Sequence, residues 1–90
     1  MSFEWDPSKA VVNLRKHGVS FDEAATVFLD ELALTGSDPD HSRAEARYIT
    51  FGASSLGRVL AVSHTYRSGV LRIISARRVT RAERKIYEEG

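Results

Sequence analysis

Apolar side chains recur with a helical period in the first third of the chain. Asp6 followed by Pro7 is typical of a helix start, and Gly18 is typical of a helix stop. We therefore predict a first helix from residue 7 to residue 16 or 17. Its apolar face would consist of Ala10, Val11 and Leu14.

A second helix is predicted directly after the first. Ser20 with Glu23 three residues later is the pattern of a capping box. Apolar residues follow at positions i, i+3, i+4, i+7 and i+8, namely Phe21, Ala24, Ala25, Phe28 and Leu29. We expect the apolar residues of both helices, including Val11, Leu14 and Phe28, to be buried against a sheet.

From residue 47 onwards the pattern changes to that of strands. Three segments rich in β-branched and aromatic residues, RYITFGAS, RVLAVSHTYR and VLRIISARR, are separated by the turn signals SSLG and RSG. A short edge strand at residues 32–35 would precede them, followed by the loop GSDPDHS. Thr80 with Glu83 forms another capping box, which opens a last helix, RAERKIYEE.

Tight turns between consecutive strands indicate an antiparallel meander. The predicted fold class is therefore α+β, with two N-terminal helices packed on a mainly antiparallel sheet of three to four strands, and a C-terminal helix. Residues 1–90 would form a single domain.

Composition excludes several classes of protein. With 42% hydrophobic and 28% charged residues the chain is too apolar for disorder, and it has no apolar run of membrane-spanning length. It has no cysteine, and its three histidines lie far apart, so we expect neither a metal site nor a cofactor. The first residues include acids and lack the apolar segment of a signal peptide, and we expect a cytoplasmic protein.

The net charge of +1 conceals a strong asymmetry along the chain. Residues 1–45 contain four basic and nine acidic residues, whereas residues 46–90 contain nine basic and three acidic ones. Between Glu45 and Glu83 there are seven arginines, no lysine and no acid. Arginine suits bidentate phosphate contacts, so this segment favours a polyanion or an acidic protein as partner. The alternative is that the acidic half simply neutralises the basic half.

The histidines are the candidate proton-transfer groups. His64 lies in the middle of a predicted strand, inside the acid-free segment. His41 lies in the DPDHS loop and would be either a general base, a loop anchor or a solvated residue. His17 would interact with the carbonyl end of the first helix.

Metal-free RNA cleavage requires a base for the 2′-hydroxyl, cations for the phosphate and an acid for the leaving oxygen. The residues proposed for this chemistry are His64, Arg67, Arg72 and Arg77. Trp5, Tyr48, Tyr66 and Tyr87 are available to stack on bases.

The length of the turn between the last two strands decides whether His64 and Arg72 share a sheet face. A three-residue loop ending at Gly69 would pair them and place imidazole and guanidinium on one phosphate. A two-residue turn, Ser68-Gly69, would pair His64 with Ile73 and separate them. We favour the three-residue loop, because Ser-Gly is a weak signal for a two-residue turn.

Four segments of the chain match a known family in the family's order: FEWDPSKAVVNLRKHGVSFDEAATVF, DPDHS, GRVLAVSHTYR and RIISARRVTRAERKIYEE. Their motifs are WDxxKAxxNxxKHGVSF, HS and RIISAR…ExxxYE. On these motifs the chain resembles the BrnT family of bacterial type II toxins over nearly its whole length. The matching positions are Trp5, Asp6, Lys9, Asn13, Lys16, His17, His41, Arg67, Arg72, Ser75, Arg77, Glu83 and Tyr87.

The resemblance implies a ribonuclease toxin with a RelE-like fold that arrests growth by cutting RNA. It also implies a BrnA-type antitoxin with a ribbon-helix-helix DNA-binding domain, through which the complex would contact its promoter. We assign Lys9, Arg58 and Tyr87 to RNA binding. The alternative function is a non-catalytic module that binds nucleic acid or protein through the same arginine-rich face.

Overall fold

The computed structural model describes all 90 residues. The elements are β1 (Phe3–Glu4), α1 (Pro7–His17), α2 (Phe21–Thr26), β2 (Leu34–Ser37), β3 (Tyr48–Ala53), β4 (Val59–Arg67), β5 (Val70–Arg78) and α3 (Arg81–Glu89). Two short 3₁₀ turns, Val27–Leu29 and Pro39–His41, complete the structure. None of the helices combines the length and the apolar character needed to cross a membrane.

The five strands form one mixed sheet in the order β1-β5-β4-β3-β2. Four of them make the predicted antiparallel arrangement, with β2 at residues 34–37 instead of 32–35. The prediction missed β1, which pairs in parallel with β5 through Phe3 opposite Leu71. The α+β class with three helices is confirmed, and the sheet has one strand more than predicted.

The predicted helix starts agree with the structure. Asp6 accepts a hydrogen bond from the backbone N–H of Ser8 at 2.9 Å, and Gly18 ends α1 with a φ of 68°. Thr80 forms a complete capping box at the start of α3. At α2 only half of the predicted box exists, because Ser20 caps the helix while the Glu23 carboxylate binds elsewhere.

The buried face of α1 differs from the prediction. Val11 and Leu14 are 52% and 51% exposed, and the buried residue is Asn13. Its amide group donates to the carbonyls of Val19 (3.0 Å) and Ala76 (2.8 Å) and accepts from the Ala76 N–H at 3.1 Å. The rotation of α1 about its axis on β5 is therefore set by these hydrogen bonds and not by the apolar periodicity of the helix.

The second helix is shorter than predicted. It ends at Thr26, whose hydroxyl donates to the carbonyl of Glu23, and a 3₁₀ turn follows. The tighter turn buries Val27 in the core and leaves Leu29 exposed. Phe28 is half-buried and packs against the core, so its predicted burial holds in part.

The hairpin between β4 and β5 contradicts the favoured prediction. The turn has two residues, Ser68 and Gly69, both with positive φ (51° and 79°), as a type I′ turn requires. His64 therefore lies opposite Ile73, and the predicted His64–Arg72 pair on one face is wrong. The mirror-image turn matches the twist of the two strands, which a type I loop would splay apart.

The two faces of the sheet carry different elements. The helices α1 and α2 cover one face and form the core with it, through Val19, Phe21, Ala24, Val27, Leu60, Val62, Leu71, Ile73 and Ala76. The opposite face, which we call the far face, carries α3 against β3, where Ile86 lies beside Ile49 and Phe51. Arg67 and Arg72 alternate with core residues and so belong to the far face. A β-bulge follows, where His64 pairs with Ile73 but Ser63 pairs with Ser75, and the extra residue on β5 brings Arg77, opposite Ala61, to the far face as well.

Candidate functional site

Two of the predicted arginines meet on the far face near the β4–β5 turn. Arg67 binds Glu45 through two hydrogen bonds of 3.0 and 3.1 Å, and Arg72 binds Glu4 at 3.2 Å. The pKa of Glu45 is lowered, first by the hydrogen bonds from Arg67 and then by the charges of Arg67, Arg47 and Arg72. We call Arg47, Arg67 and Arg72, with these two carboxylates, the arginine cluster.

The loop of residues 38–47 contributes Glu45 and Arg47 to the arginine cluster. Its ends are joined by a bond from the Asp38 N–H to the Arg47 carbonyl (2.8 Å). The Ser42 hydroxyl donates to the Asp38 carbonyl (2.6 Å) and accepts from the Arg47 N–H (2.9 Å). Thr65 of β4 donates to the Ala46 carbonyl at 2.6 Å. These bonds fix the loop on the far face.

A cavity of about 510 Å³ lies under this loop. It is lined by Asp40, His41, Arg43, Ala44, Glu45 and Arg47. Glu45 and Arg47 also belong to the arginine cluster, so the cavity and the cluster adjoin. His41 therefore shares the cavity with one guanidinium group of the arginine cluster, that of Arg47.

His64, the proposed general base, lies on the core face and is 0% exposed. Its Nε2 is 2.8 Å from the Thr50 hydroxyl, and its ring packs between Phe28, Tyr48 and Tyr66 at centroid distances of 4.9 to 5.8 Å. Burial lowers its pKa to about 4, and Nδ1 has no hydrogen-bond partner. The base-and-clamp arrangement with Arg72 is therefore not present.

Arg77 and Arg58 lie away from the arginine cluster, each bound to an acid. Arg77 bonds both oxygens of Glu83 (2.7 and 2.9 Å) and ties the first turn of α3 to β5. Chiefly through these bonds the pKa of Glu83 falls to about 2. Arg58 binds the buried carboxylate of Glu23 and the Gly18 carbonyl.

The remaining RNA-binding predictions fall at two further places. The Tyr87 hydroxyl donates to Asp30 at 2.6 Å, a bond that raises the pKa of the phenol. Lys9 lies on α1 and, with Lys16 and His17, lines a groove of about 320 Å³ that ends at Ser75 of β5. Neither lysine forms a salt bridge. We call this the lysine groove.

Sequence reasoning missed the acidic partners of the arginines. Glu4 and Arg72 are 68 positions apart, and Glu23 and Arg58 are 35 apart, so no local pattern reveals these pairs. The alternative that acids neutralise the basic half thus describes much of the structure. The contact between Asp38 and His41 did have a local signal, since a proline between them favours a tight turn. No group of three or more His, Cys, Asp or Glu side chains is placed to hold a metal ion.

Comparison with known proteins gives a match to a protein family and a match to a solved structure. The family model described as "Ribonuclease toxin, BrnT, of type II toxin-antitoxin system" matches residues 5–83. Among solved structures, the ribonuclease toxin BrnT of Brucella abortus is 25% identical in sequence to this chain. Its match has a TM-score of 0.67 and covers 90% of this chain and 99% of that one. No curated protein matches the chain.

Proposed function

Since this chain belongs to the BrnT family of ribonuclease toxins of type II toxin–antitoxin systems, we propose that it is itself an endoribonuclease that cleaves RNA without a metal ion. The observation that carries this proposal is the arginine cluster. Three guanidinium groups there face two carboxylates, which leaves an excess of positive charge beside an open cavity. Such a surface favours a phosphate whose negative charge grows in the transition state.

The acids of the arginine cluster do not prevent phosphate binding. The Arg67–Glu45 and Arg72–Glu4 pairs are all partly exposed, and exposed ion pairs contribute only about 0–1 kcal/mol. A phosphate that binds a guanidinium through two oxygens replaces such a partner at little cost. We propose that Arg67 and Arg72 contact the scissile phosphate.

The other predicted site residues are less favourably placed. The catalytic roles of Arg77 and His64 stay predictions, since Arg77 holds α3 and His64 is buried in the core. Arg58 and Tyr87, predicted to bind RNA, are each bound to an acid. Lys9 forms no salt bridge, and we propose that the lysine groove binds flanking RNA phosphates.

The antitoxin would cover the arginine cluster. A type II toxin implies an antitoxin, and the excess positive charge favours an acidic segment as the inhibiting part. We propose a BrnA-type partner with a ribbon-helix-helix domain, so that promoter DNA is contacted only through the antitoxin.

Cleavage of RNA in EDTA tests this function. Purified protein incubated with total bacterial RNA should give fragments that end in 2′,3′-cyclic phosphate. Arg67→Ala and Arg72→Ala should slow cleavage by about 100-fold each, as expected for removal of a transition-state contact. Arg84→Ala on α3 is the matched control, since Arg84 makes only a long contact of 3.9 Å with Glu88.

The alternative is a non-catalytic module that binds nucleic acid or protein through the same arginine-rich face. In that case RNA would stay intact and would migrate more slowly on a native gel. Cleavage that requires added magnesium would reject the metal-free mechanism while leaving the ribonuclease activity in place.

A further inference from the structure

His41 has the arrangement of an oriented imidazole. Its Nδ1 lies 2.8 Å from Oδ2 of Asp38, whose side chain is only 14% exposed, while the His41 side chain is 67% exposed. A carboxylate bound to one ring nitrogen fixes the tautomer and leaves the other nitrogen free to accept a proton. Here the carboxylate is covered by protein and the imidazole is open to solvent.

The loop holds this pair rigidly. Asp38 is fixed through its backbone at both groups, since its N–H donates to Arg47 and its carbonyl accepts from the Ser42 hydroxyl. The 3₁₀ turn Pro39–His41 then sets the short spacing between carboxylate and imidazole. A plain connection between two strands does not require an exposed histidine held in this way.

The position of His41 relates it to the phosphate-binding residues. Its side chain lines the same cavity as Glu45 and Arg47. Glu45 in turn bonds Arg67, which we propose as a contact of the scissile phosphate. A nucleotide in this cavity would therefore meet the imidazole of His41 and the guanidinium of Arg47, next to the carboxylate that binds Arg67.

We infer that His41 is the general base of RNA cleavage and that Asp38 is its positioning residue. This inference rests on the proposed ribonuclease function and replaces His64 with a histidine that substrate can reach. Neutral Nε2 of His41 accepts the proton of the 2′-hydroxyl while the 2′-oxygen bonds to phosphorus. The bond from phosphorus to the 5′-oxygen breaks, that oxygen takes a proton from water, and the hydroxide left behind takes the proton held by His41. The products are a 2′,3′-cyclic phosphate and a 5′-hydroxyl, with no change of oxidation state.

Chemical rescue tests this assignment in the full-length protein. His41→Gly should cleave total bacterial RNA at least about 100-fold more slowly than the wild type, the usual contribution of a general base. Added imidazole should restore part of the lost rate, because the open cavity admits it. Asp38→Asn should lower kcat with little change in KM, and imidazole should not restore it. Arg84→Ala on α3, which lies in neither the arginine cluster nor the lysine groove, should cleave at the wild-type rate.

The outcomes separate this inference from the proposed function. A wild-type protein that leaves RNA intact overturns the ribonuclease proposal and this inference with it. An active wild type with an equally active His41→Gly variant overturns this inference alone. A folded, slow His41→Gly variant that imidazole does not accelerate also overturns it, because a structural role for His41 would then explain the loss. Thermal unfolding of each variant verifies the fold.

Discussion

His64 shows how the surroundings of one residue change its chemistry. In sequence it was the strongest candidate base, because it lies in a strand among arginines with no acid nearby. In the structure its ring is enclosed by aromatic side chains, and the charged form is disfavoured. Its single hydrogen bond, to Thr50, belongs to a short chain that continues to Thr35 (2.7 Å). A histidine used in this way contributes to packing.

The burial of His64 predicts a loss of stability in mild acid. Its pKa is about 4 when folded and 6.5 as the reference for the unfolded chain, so the unfolded chain binds the proton more readily between these values. The stability that the neutral His64 contributes is therefore fully present above pH 6.5 and is lost as the pH falls towards 4. The loss should reach about 3 kcal/mol in the free energy of unfolding.

Urea unfolding at pH 7 and pH 4 measures this effect. The free energy of unfolding should differ less between pH 7 and pH 4 in His64→Gln than in the wild type, by about 3 kcal/mol. Val12→Ala, which changes an exposed residue without a titratable group, should keep the wild-type difference. An unchanged difference in His64→Gln would mean that another group dominates acid unfolding.

At the scale of elements, Asn13 determines how α1 sits on the sheet. Asn13→Ala would leave the N–H and carbonyl of Ala76 and the carbonyl of Val19 without their partners in a buried place. We expect the free energy of unfolding to fall by about 3 kcal/mol. The exposed Val12→Ala is the control and should change it by less than about 0.5 kcal/mol. Equal stability of the two variants would show that water replaces the Asn13 amide.

The contact between β3 and the 3₁₀ turn requires a glycine. A β-carbon at Gly52 would lie 2.6 Å from Val27 Cγ1 and 3.1 Å from the Ala33 β-carbon. Gly52→Ala should therefore destabilise the protein by about 2 kcal/mol through overpacking. Gly36→Ala, on the neighbouring strand β2, meets nothing within 4 Å and should be nearly neutral in the same denaturation experiment.

Elements with a strong local signal could be predicted, and pairings set by the tertiary fold could not. The caps at Asp6 and Thr80 act within three residues and were read correctly. The two-residue strand β1 is too short for any periodicity, and its pairing with β5 joins residues 68 positions apart. The candidate site divides in the same way, because the turn at Ser68-Gly69 decides the face of Arg72 and the β-bulge beside Ser63 decides that of Arg77.

At the scale of the whole molecule, the charges of the two halves of the chain pair across the fold. The cations that form no salt bridge include Lys9 and Lys16 of the lysine groove. If this groove binds RNA, the logarithm of RNA affinity should fall with the logarithm of salt concentration. Each lysine removed should make that slope less steep by about 0.7. Lys9→Ala with Lys16→Ala should thus lower the slope by about 1.4 in filter-binding titrations with NaCl.

Lys85→Ala provides the matched control for this titration. Lys85 lies on α3 and likewise forms no salt bridge, but it does not line the lysine groove. Its slope should equal that of the wild type. If the double variant has the same slope as the wild type, α1 is not part of the RNA-binding surface.

The bonds between Asn13 and Ala76 also affect how the molecule meets other copies of itself. An open strand edge presents unpaired N–H and carbonyl groups, which invite a strand from another chain. Along the outer edge of β5, β1 occupies the positions of Leu71 and Arg72, and the Asn13 amide occupies that of Ala76 much as a peptide group would. One side chain thus acts as a substitute strand, and its loss would open the edge of β5 around Ala76 to intermolecular β-pairing and aggregation.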